Sequence, residues 1–262
     1  MTPEAVQTAL NTTVIGNRIE VHRQVSSTND LARDAARRGE KEGLVVLAEE
    51  QTAGRGRMGR IWIAPPGCCI LCSVLLRPHF PSQHAFHITM AASLAIYRAL
   101  NSVLSPQSSV LTIKWPNDVL VNGRKVSGVL SEGEFVGGEW SFAIVGFGIN
   151  VSMSRSDLEG LQAIAPNATS LSVETGTEID RAVLLARVLE ELERLYLALQ
   201  NGAFNTVHEE WVSKVETIGR RVVVDQGRDR VNGIALRVDT DGALVVRTND
   251  GLEHRVLAGD VI

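Results

Sequence analysis

The sequence predicts an α+β fold in which helices flank a mixed central sheet and a small β-barrel follows at the C-terminus. Residues 1–216 alternate between apolar strand patterns and amphipathic helix patterns. Residues 217–262 instead contain only short strand patterns separated by Gly and Asp turns. With 262 residues, 44% of them hydrophobic, the chain can bury one large core and a second small one. We therefore expect a larger domain at 1–216 and a small domain at 217–262.

Hydrophobic periodicity and capping residues define the elements of the first 78 residues. Ser27, Thr28 and Asn29 are preferred helix N-cap residues, and the Ala- and Arg-rich stretch after them ends at Gly39. The uninterrupted apolar runs further on are typical of buried strands. The predicted elements are a helix at 3–10, a half-buried strand at 17–25, a helix at 30–38, and buried strands at 43–50 and 68–78.

The same patterns continue through the rest of the chain. Apolar residues recur at helical spacing from Phe86 to Leu100, which predicts a helix that covers one sheet face. The dipeptide Asn122-Gly123 between two alternating runs predicts a two-residue hairpin turn. The remaining predicted elements are a helix at 84–104, a strand from 110 into a hairpin at 118–130, a strand at 140–151, helices at 180–200 and 202–215, and short strands between 220 and 262.

Charge and cysteine content narrow the classes of function. The net charge of −4 and the pI near 5.9 disfavour general nucleic-acid binding. Residues 216–262 carry seven Lys or Arg against eight Asp or Glu, so the small barrel has no basic excess either. The three cysteines lie in one apolar run, and we find neither a signal peptide nor an apolar stretch of about 20 residues. We expect a soluble cytoplasmic protein with no DNA or membrane partner.

A glycine- and arginine-rich loop of 17 residues, 51–67, separates two predicted buried strands. Loops of this length inside a domain are commonly functional. Its segment GRGRMGR, residues 54–60, places three guanidinium groups on a flexible backbone, which suits a phosphate or a carboxylate. It lacks the ending of a P-loop, and its position between buried strands disfavours a disordered RNA-binding tail. We expect a loop that becomes ordered over an anionic ligand.

The predicted hairpin brings a carboxylate and an ammonium group together. Its two-residue turn pairs Leu120 with Lys125, Val119 with Val126 and Asp118 with Ser127. Asp118, Lys125 and Ser127 then share one face, with Asp118 and Lys125 roughly 7 Å apart, whereas Arg124 lies on the other face. This spacing alone leaves two interpretations open, a solvated ion pair and a functional site.

Glycines alternate with bulky residues in VGFGIN, residues 145–150, within the predicted strand 140–151. Glycine weakens a strand unless something must approach its backbone closely. We expect such an approach here, by either a ligand ring or a packed helix.

Four segments, in this order and spacing, resemble the biotin protein ligase family: SSTN at 26–29, EEQTAGRGRMGRIW at 49–62, KWPNDVLVNGRKVSGVLSE at 114–132 and VGFGINV at 145–151. The similarity is close over residues 24–151 and looser over the terminal barrel. It implies a catalytic core like that of class II aminoacyl-tRNA synthetases, followed by an SH3-like domain. It also implies an enzyme, a biotin–[acetyl-CoA-carboxylase] ligase.

The resemblance further implies one site that is shared by biotin and ATP. The residues it implies for biotin are Ser27, Thr28, Asn29, Gln51, Arg55, Gly56, Arg57 and Lys125. Those it implies for ATP are Trp62, Asn150 and Asp118. Lys125 and Arg57 are the implied catalytic residues, because cations at the carboxylate and the α-phosphate stabilise the charge that develops there. The resemblance leaves the metal ligands and the part played by Asp118 open.

The reaction that the resemblance implies has two steps. Biotin attacks ATP, which carries Mg²⁺, to form biotinyl-5′-AMP, and a lysine of a carrier protein then takes the biotin. The implied partner is the biotin carboxyl carrier protein of acetyl-CoA carboxylase or of a related carboxylase. Assembly into a homodimer is left open.

The chain departs from the family pattern in two places. Met58 stands where the family often has a third arginine, which is expected to soften closure of the loop. The residues before the first strand are too few for an N-terminal DNA-binding segment, so a short form without a repressor function is expected. The alternatives are a related lipoate protein ligase, which the arginine loop and KWPND disfavour, and, from another class, a nucleic-acid-binding module.

Overall fold

The structure is a computed structural model that describes residues 1–104, 109–227 and 229–262. In these ranges the helices are α1 (Pro3–Ala9), α2 (Thr28–Arg37), α3 (Phe86–Asn101), α4 (Arg155–Gly160), α5 (Leu171–Thr175), α6 (Arg181–Gln200) and α7 (Phe204–Val212). The strands are β1 (Arg18–His22), β2 (Leu44–Ala48), β3 (Cys69–Leu76), β4 (Leu111–Lys114), β5 (Asp118–Val121), β6 (Arg124–Val136), β7 (Glu139–Asn150), β8 (Arg221–Asp225), β9 (Arg230–Val238), β10 (Leu244–Thr248), β11 (Glu253–Val256) and β12 (Asp260–Val261). The predicted α+β fold is confirmed, although α4 and α5 had not been predicted.

The first seven strands form one sheet in the order β1-β2-β3-β7-β6-β5-β4. β1 and β2 pair in parallel, and every other neighbouring pair is antiparallel, so the sheet is mixed as predicted. β2 and β3 are buried along their whole length, because helices cover both faces of the sheet.

The two faces of this sheet are covered by different helices. α3 and α6 pack on one face and enclose the main hydrophobic core, which includes Leu94 and Leu189. α2 packs on the other face, where Ala32 and Ala36 lie against Val46. Short alanine side chains let α2 approach the strands closely, and its first residues are therefore buried against the sheet.

The hairpin of β5 and β6 differs from the predicted register by one residue. Leu120 pairs with Lys125 as expected, but Asp118 pairs with Gly128 instead of Ser127. A β-bulge between Val119 and Leu120 accounts for the shift, because an extra residue in one strand turns the following side chains to the other face. The prediction that Ser127 shares the face of Asp118 and Lys125 was therefore wrong, and Gly128 lies there.

The small C-terminal sheet is antiparallel throughout, in the order β11-β10-β9-β8-β12. Trp115, which is buried between the two sheets, connects them: its indole Nε1 donates to the Gly242 carbonyl (3.0 Å), and its backbone N donates to Thr217 Oγ1 (3.1 Å). In the described ranges, no helix has both the length and the apolar character that crossing a membrane requires.

Candidate active site

A cavity of about 560 Å³ lies over the face of the large sheet that α2 covers, and the small domain closes one of its sides. Every residue predicted for the site contributes to its lining: Ser27, Thr28, Asn29, Gln51, Arg55, Gly56, Arg57, Trp62, Asp118, Lys125 and Asn150. The four motifs, although they are distant in sequence, therefore meet in one place. Binding sites of small molecules typically have this size and this mixture of apolar walls and a few polar groups.

One end of the cavity, the neutral end, is lined by three uncharged polar side chains, Thr28, Asn29 and Gln51, and the buried Ser73 supports them from behind. Gln51 Oε1 accepts from the backbone N (2.8 Å) and Oγ1 (3.1 Å) of Thr28. Ser73 on β3 reaches both Thr28 Oγ1 (2.8 Å) and Asn29 Oδ1 (2.6 Å). Thr28, Asn29 and Ser73 are all less than 6% exposed, so a ligand meets donors and acceptors that are already in position.

Gly146 of β7 provides the space that Asn29 occupies. A Cβ at position 146 would lie 2.0 Å from Asn29 Oδ1, which is far inside van der Waals contact. Asn29 Nδ2 in turn donates to Glu132 Oε2 (2.6 Å). The glycine of VGFGIN thus serves a packed helix at this position, one of the two explanations that the sequence left open.

Gly148, two residues further along β7, provides space for Trp62. A Cβ at position 148 would lie 2.4 Å from the indole ring, which rests on the strand backbone. Lys125 Nζ lies 5.6 Å from the centroid of the same ring, within the range of a cation–π interaction. Trp62 Nε1 is buried and has no hydrogen-bond partner among the described residues.

The opposite end of the cavity, the charged end, contains Arg57, Asp118, Lys125 and Asp260. Lys125 Nζ lies 2.8 Å from Asp118 Oδ1, because the long lysine side chain spans the roughly 7 Å that separates the backbones of a diagonal pair. A Cβ at Gly128 would lie only 3.1 Å from Lys125 Nζ. The ammonium group is therefore confined between a carboxylate, an indole face and the strand backbone.

The arginines of the loop are held on different partners. Arg55 Nη2 lies 2.7 Å from Asp30 Oδ1 on α2. The contacts that Arg57 makes with other described residues are longer: Asn117 Oδ1 at 3.4 Å, the Gly259 carbonyl at 3.3 Å and Asp260 Oδ1 at 3.9 Å. Burial lowers the pKa of the Arg57 guanidinium from its usual value, and the nearby carboxylates of Asp260 and Asp118 oppose that shift. Arg57 thus keeps hydrogen-bonding capacity for an anion in the cavity.

Asn150 lies at the end of β7 and is engaged by protein groups. Its Nδ2 donates to the Thr169 carbonyl (2.9 Å), and the Cys69 thiol donates to its Oδ1 (3.5 Å). Burial raises the pKa of Cys69 to about 12, so this thiol stays protonated at neutral pH. Asn150 is therefore suited to fix the loop that carries Thr169 beside the cavity.

Sequence reasoning missed Asn117, Gly128 and Asp260, which line the cavity, and Ser73, which supports Thr28 and Asn29 from behind. Asn117 lies within the recognised KWPND motif, so that motif was a usable signal for it. Ser73 and Asp260 occur in segments without a distinctive pattern, and only their tertiary contacts reveal them. In the described part of the chain, no three His, Cys, Asp or Glu side chains are grouped so that they could hold a metal ion.

Comparison with known proteins places this chain among ligases. Residues 21–150 match the model of the "Biotin/lipoate A/B protein ligase family", and residues 217–262 match that of the "Biotin protein ligase C terminal domain". The "Biotin--[acetyl-CoA-carboxylase] ligase" of Mycobacterium tuberculosis is 34% identical over 247 residues, 93% of this chain and 88% of that protein. The "Bifunctional ligase/repressor BirA" of Bacillus subtilis is 32% identical over 256 residues, 98% of this chain and 77% of that protein.

A solved structure agrees with these matches. The biotin protein ligase of Aquifex aeolicus in complex with biotin and ATP superposes with a TM-score of 0.75 at 25% identity, and the alignment covers 94% of this chain and 98% of that one. The family models, the two relatives and the solved structure thus point to the same family. The chain belongs to the biotin protein ligase family.

Proposed function

We propose that this chain activates biotin with ATP as biotinyl-5′-AMP and transfers it to a lysine of a carrier protein. The observation that carries this proposal is a single cavity with a neutral polar end and a charged end. Biotin itself has these two parts, an uncharged ureido ring and a carboxylate. We assign the ring to the neutral end and the carboxylate to the charged end, where ATP joins it.

The neutral end suits the ureido ring because it offers both donors and acceptors. The ring carries one carbonyl and two N–H groups, which need partners once they leave water. Ser27, Thr28 and Asn29 supply such groups from buried positions, and the half-buried Gln51 adds its amide. Their mutual hydrogen bonds hold them in place before the ligand arrives, which lowers the entropic cost of binding.

In the first step, an oxygen of the biotin carboxylate attacks the α-phosphorus of ATP, and the bond to the leaving pyrophosphate breaks. Two anions must come together, so positive charge at the point of contact lowers the barrier. We assign Lys125 and Arg57 to this role, with Arg55 and Gly56 over the biotin carboxylate. Asp118 orients the Lys125 ammonium through their 2.8 Å contact.

The adenosine is assigned to the wall formed by Trp62, with Asn150 as its support. The indole face offers a flat apolar surface to the base, and Asn150 holds the segment around Thr169. In the second step, the amine of a carrier lysine attacks the acyl carbon of the mixed anhydride, and AMP leaves with the electron pair of the broken C–O bond. Loop 51–67 shields the anhydride from water until then.

Mg²⁺ is proposed to enter as part of the ATP substrate. The described residues contain no cluster of three acidic, cysteine or histidine ligands, and Asp118 is already paired with Lys125. Magnesium commonly stays bound to nucleotide phosphates and water with few protein ligands, which agrees with such a site. The phosphates of ATP therefore supply most of its ligands in this proposal.

We propose the biotin carboxyl carrier protein of acetyl-CoA carboxylase, or of a related carboxylase, as the acceptor. The relative from Mycobacterium tuberculosis that is named for this reaction supports the proposal. A cytoplasmic location follows from such a partner and stays a prediction, and so does the absence of a DNA partner. Assembly into a homodimer likewise stays open.

The test is a transfer assay with biotin, ATP, Mg²⁺ and a carboxyl carrier domain. We expect a product that avidin detects and that gains the mass of one biotinyl group. A carrier whose acceptor lysine is replaced by arginine is the matched control and should stay unmodified. Lipoate replaces biotin in a parallel reaction, and transfer of lipoate without transfer of biotin would overturn the assignment.

A further inference from the structure

The arginine loop is fastened to the small domain at its turn, residues 57–60. Arg60 Nη2 lies 2.8 Å from Asp260 Oδ2, and Arg57 Nη1 lies 3.9 Å from Asp260 Oδ1. The methyl group of Met58 points toward Gly227 in the turn after β8, where a Cβ would lie 3.7 Å from it. Three of the four residues of this turn, Arg57, Met58 and Arg60, thus face the C-terminal domain.

The two partners of the shorter ion pair differ in how firmly they are held. Asp260 belongs to β12, whose backbone pairs with β8, and its side chain is 14% exposed. Arg60 lies on the loop, and its side chain is 58% exposed. Asp260 is therefore the fixed point, and the loop is the part that attaches to it or leaves it.

We propose that Asp260 is a positioning residue that holds the arginine loop closed over the cavity through Arg60. This inference rests on the proposed function insofar as it concerns catalysis. Asp260 binds Arg60 at 2.8 Å but stays 3.9 Å from Arg57, whose other contacts are long and neutral. The clasp, meaning the Arg60–Asp260 pair, thus anchors the turn and leaves Arg57 available to the phosphate.

The small domain then acts on the reaction without supplying a group that reacts. The apparent affinity of a ligand falls in proportion to the fraction of protein in the competent state. A partly exposed ion pair shifts the equilibrium between the open and the closed loop about fivefold. Loss of the clasp should therefore raise the KM for ATP about fivefold, and kcat should fall by a smaller factor because saturating ATP closes the loop.

Hydrogen exchange on the full chain without ligands tests the clasp directly. We expect Asp260→Asn and Arg60→Gln to speed exchange of the amides in residues 54–62 about fivefold, because either change breaks the pair. Asp260→Glu should restore most of the protection. Glu253→Gln is the matched control, since it breaks the 2.9 Å pair with Arg237 within the small domain and leaves the loop untouched.

Two results would overturn the inference. One is exchange in residues 54–62 that stays at the wild-type rate in both Asp260→Asn and Arg60→Gln. The other is faster exchange in β8 and β12 that equals the change in the loop, which would show that Asp260 merely stabilises its own sheet. Neither result depends on biotin chemistry, so failure of the transfer assay and failure of the clasp are separate outcomes. The part of the inference that concerns catalysis is supported if Asp260→Asn raises the KM for ATP by a larger factor than it lowers kcat.

Discussion

The two ends of the cavity are built on different physical principles. At the neutral end, hydrogen bonds tie the start of α2 to β3 and to Gln51, and none of the four side chains carries a charge, although the Glu132 carboxylate accepts from Asn29. At the charged end, groups from a loop, a hairpin and the small domain meet, and several remain partly exposed. The neutral end is therefore rigid before ligands bind, whereas the charged end is assembled by contacts that solvent can exchange.

This difference matches the chemical tasks of the proposed reaction. Recognition of an uncharged ring needs fixed donors and acceptors, and buried positions supply them at little entropic cost. Phosphate chemistry needs positive charge, which is costly to bury without a partner. Lys125 is accordingly paired with Asp118, and Arg55 with Asp30.

The largest expected effect comes from a substitution at the charged end, compared with one at a neighbouring residue outside the cavity. Lys125→Ala removes the ammonium group at the reacting phosphate, and we expect adenylate formation to fall by about 10²–10³. Pyrophosphate release under single-turnover conditions measures this step. Arg124→Ala is the matched control because Arg124 pairs with Glu174 (2.7 Å) away from the cavity. An unchanged rate in Lys125→Ala would contradict the role that we assign to the charged end.

Acid should affect both ends together, because they share one core. His87 on α3 is 1% exposed, and neither ring nitrogen has a hydrogen-bond partner among the described residues. Burial, followed by the nearby His84 and His208, lowers the pKa of His87 to about 4. The folded state thus favours the neutral ring, so its contribution is complete above the unfolded pKa of about 6.5 and is lost as the pH falls toward 4.

We expect the preference of the folded state for neutral His87 to lower the free energy of unfolding by about 2 kcal/mol when the pH falls from 7 to 5. Urea unfolding at the two pH values measures the difference. His87→Asn should flatten the pH dependence, since it removes the titrating group, whereas the exposed His254→Asn should leave it intact. A higher KM for ATP at pH 5 with an unchanged free energy of unfolding would contradict this prediction. It would show that acid acts on the charged end alone and not on the core that both ends share.

Two glycines of β7 allow each end to be disturbed separately. Gly146→Ala would push against Asn29, and Gly148→Ala would push against Trp62. Displacement of a positioned group by about 1 Å is costly, so we expect changes on the order of tenfold. Gly146→Ala should raise the KM for biotin, and Gly148→Ala should raise the KM for ATP. Equal effects of both variants on both substrates would show that the ends are not separable.

The sequence predicted residues at both ends of the cavity, but it did not predict how the charged end is arranged. Thr28, Asn29 and Gln51 come from segments with clear local signals, a helix N-cap and the end of a buried strand, and the fold brings them together. The hairpin turn was correct, but the bulge that aligns Asp118 with Gly128 leaves no local signal in the alternating pattern. Asp260 lies about 200 residues from the loop that it contacts, so only tertiary packing reveals it.

The smallest expected effect concerns Trp62, which lies between the two ends. Its buried Nε1 donor has no partner within residues 1–104, 109–227 and 229–262, so Trp62→Phe removes an unsatisfied group and should not lower stability. Phenylalanine keeps a flat ring over Gly148 but interacts less strongly with the Lys125 ammonium, which lies 5.6 Å from the indole centroid. A difference of this kind is small, and we expect kcat/KM for ATP to fall about threefold.

The size of the Trp62→Phe effect distinguishes two functions of the indole. A threefold loss, with unchanged KM for biotin, means that Trp62 serves the charged end as an apolar and cation-facing wall. Trp62→Ala is the companion variant and should lose far more, because it removes the wall itself. A loss in Trp62→Phe as large as that in Trp62→Ala would mean that Nε1 finds an acceptor on the bound nucleotide. In that case a polar contact, of the type found at the neutral end, would also contribute to the recognition of ATP.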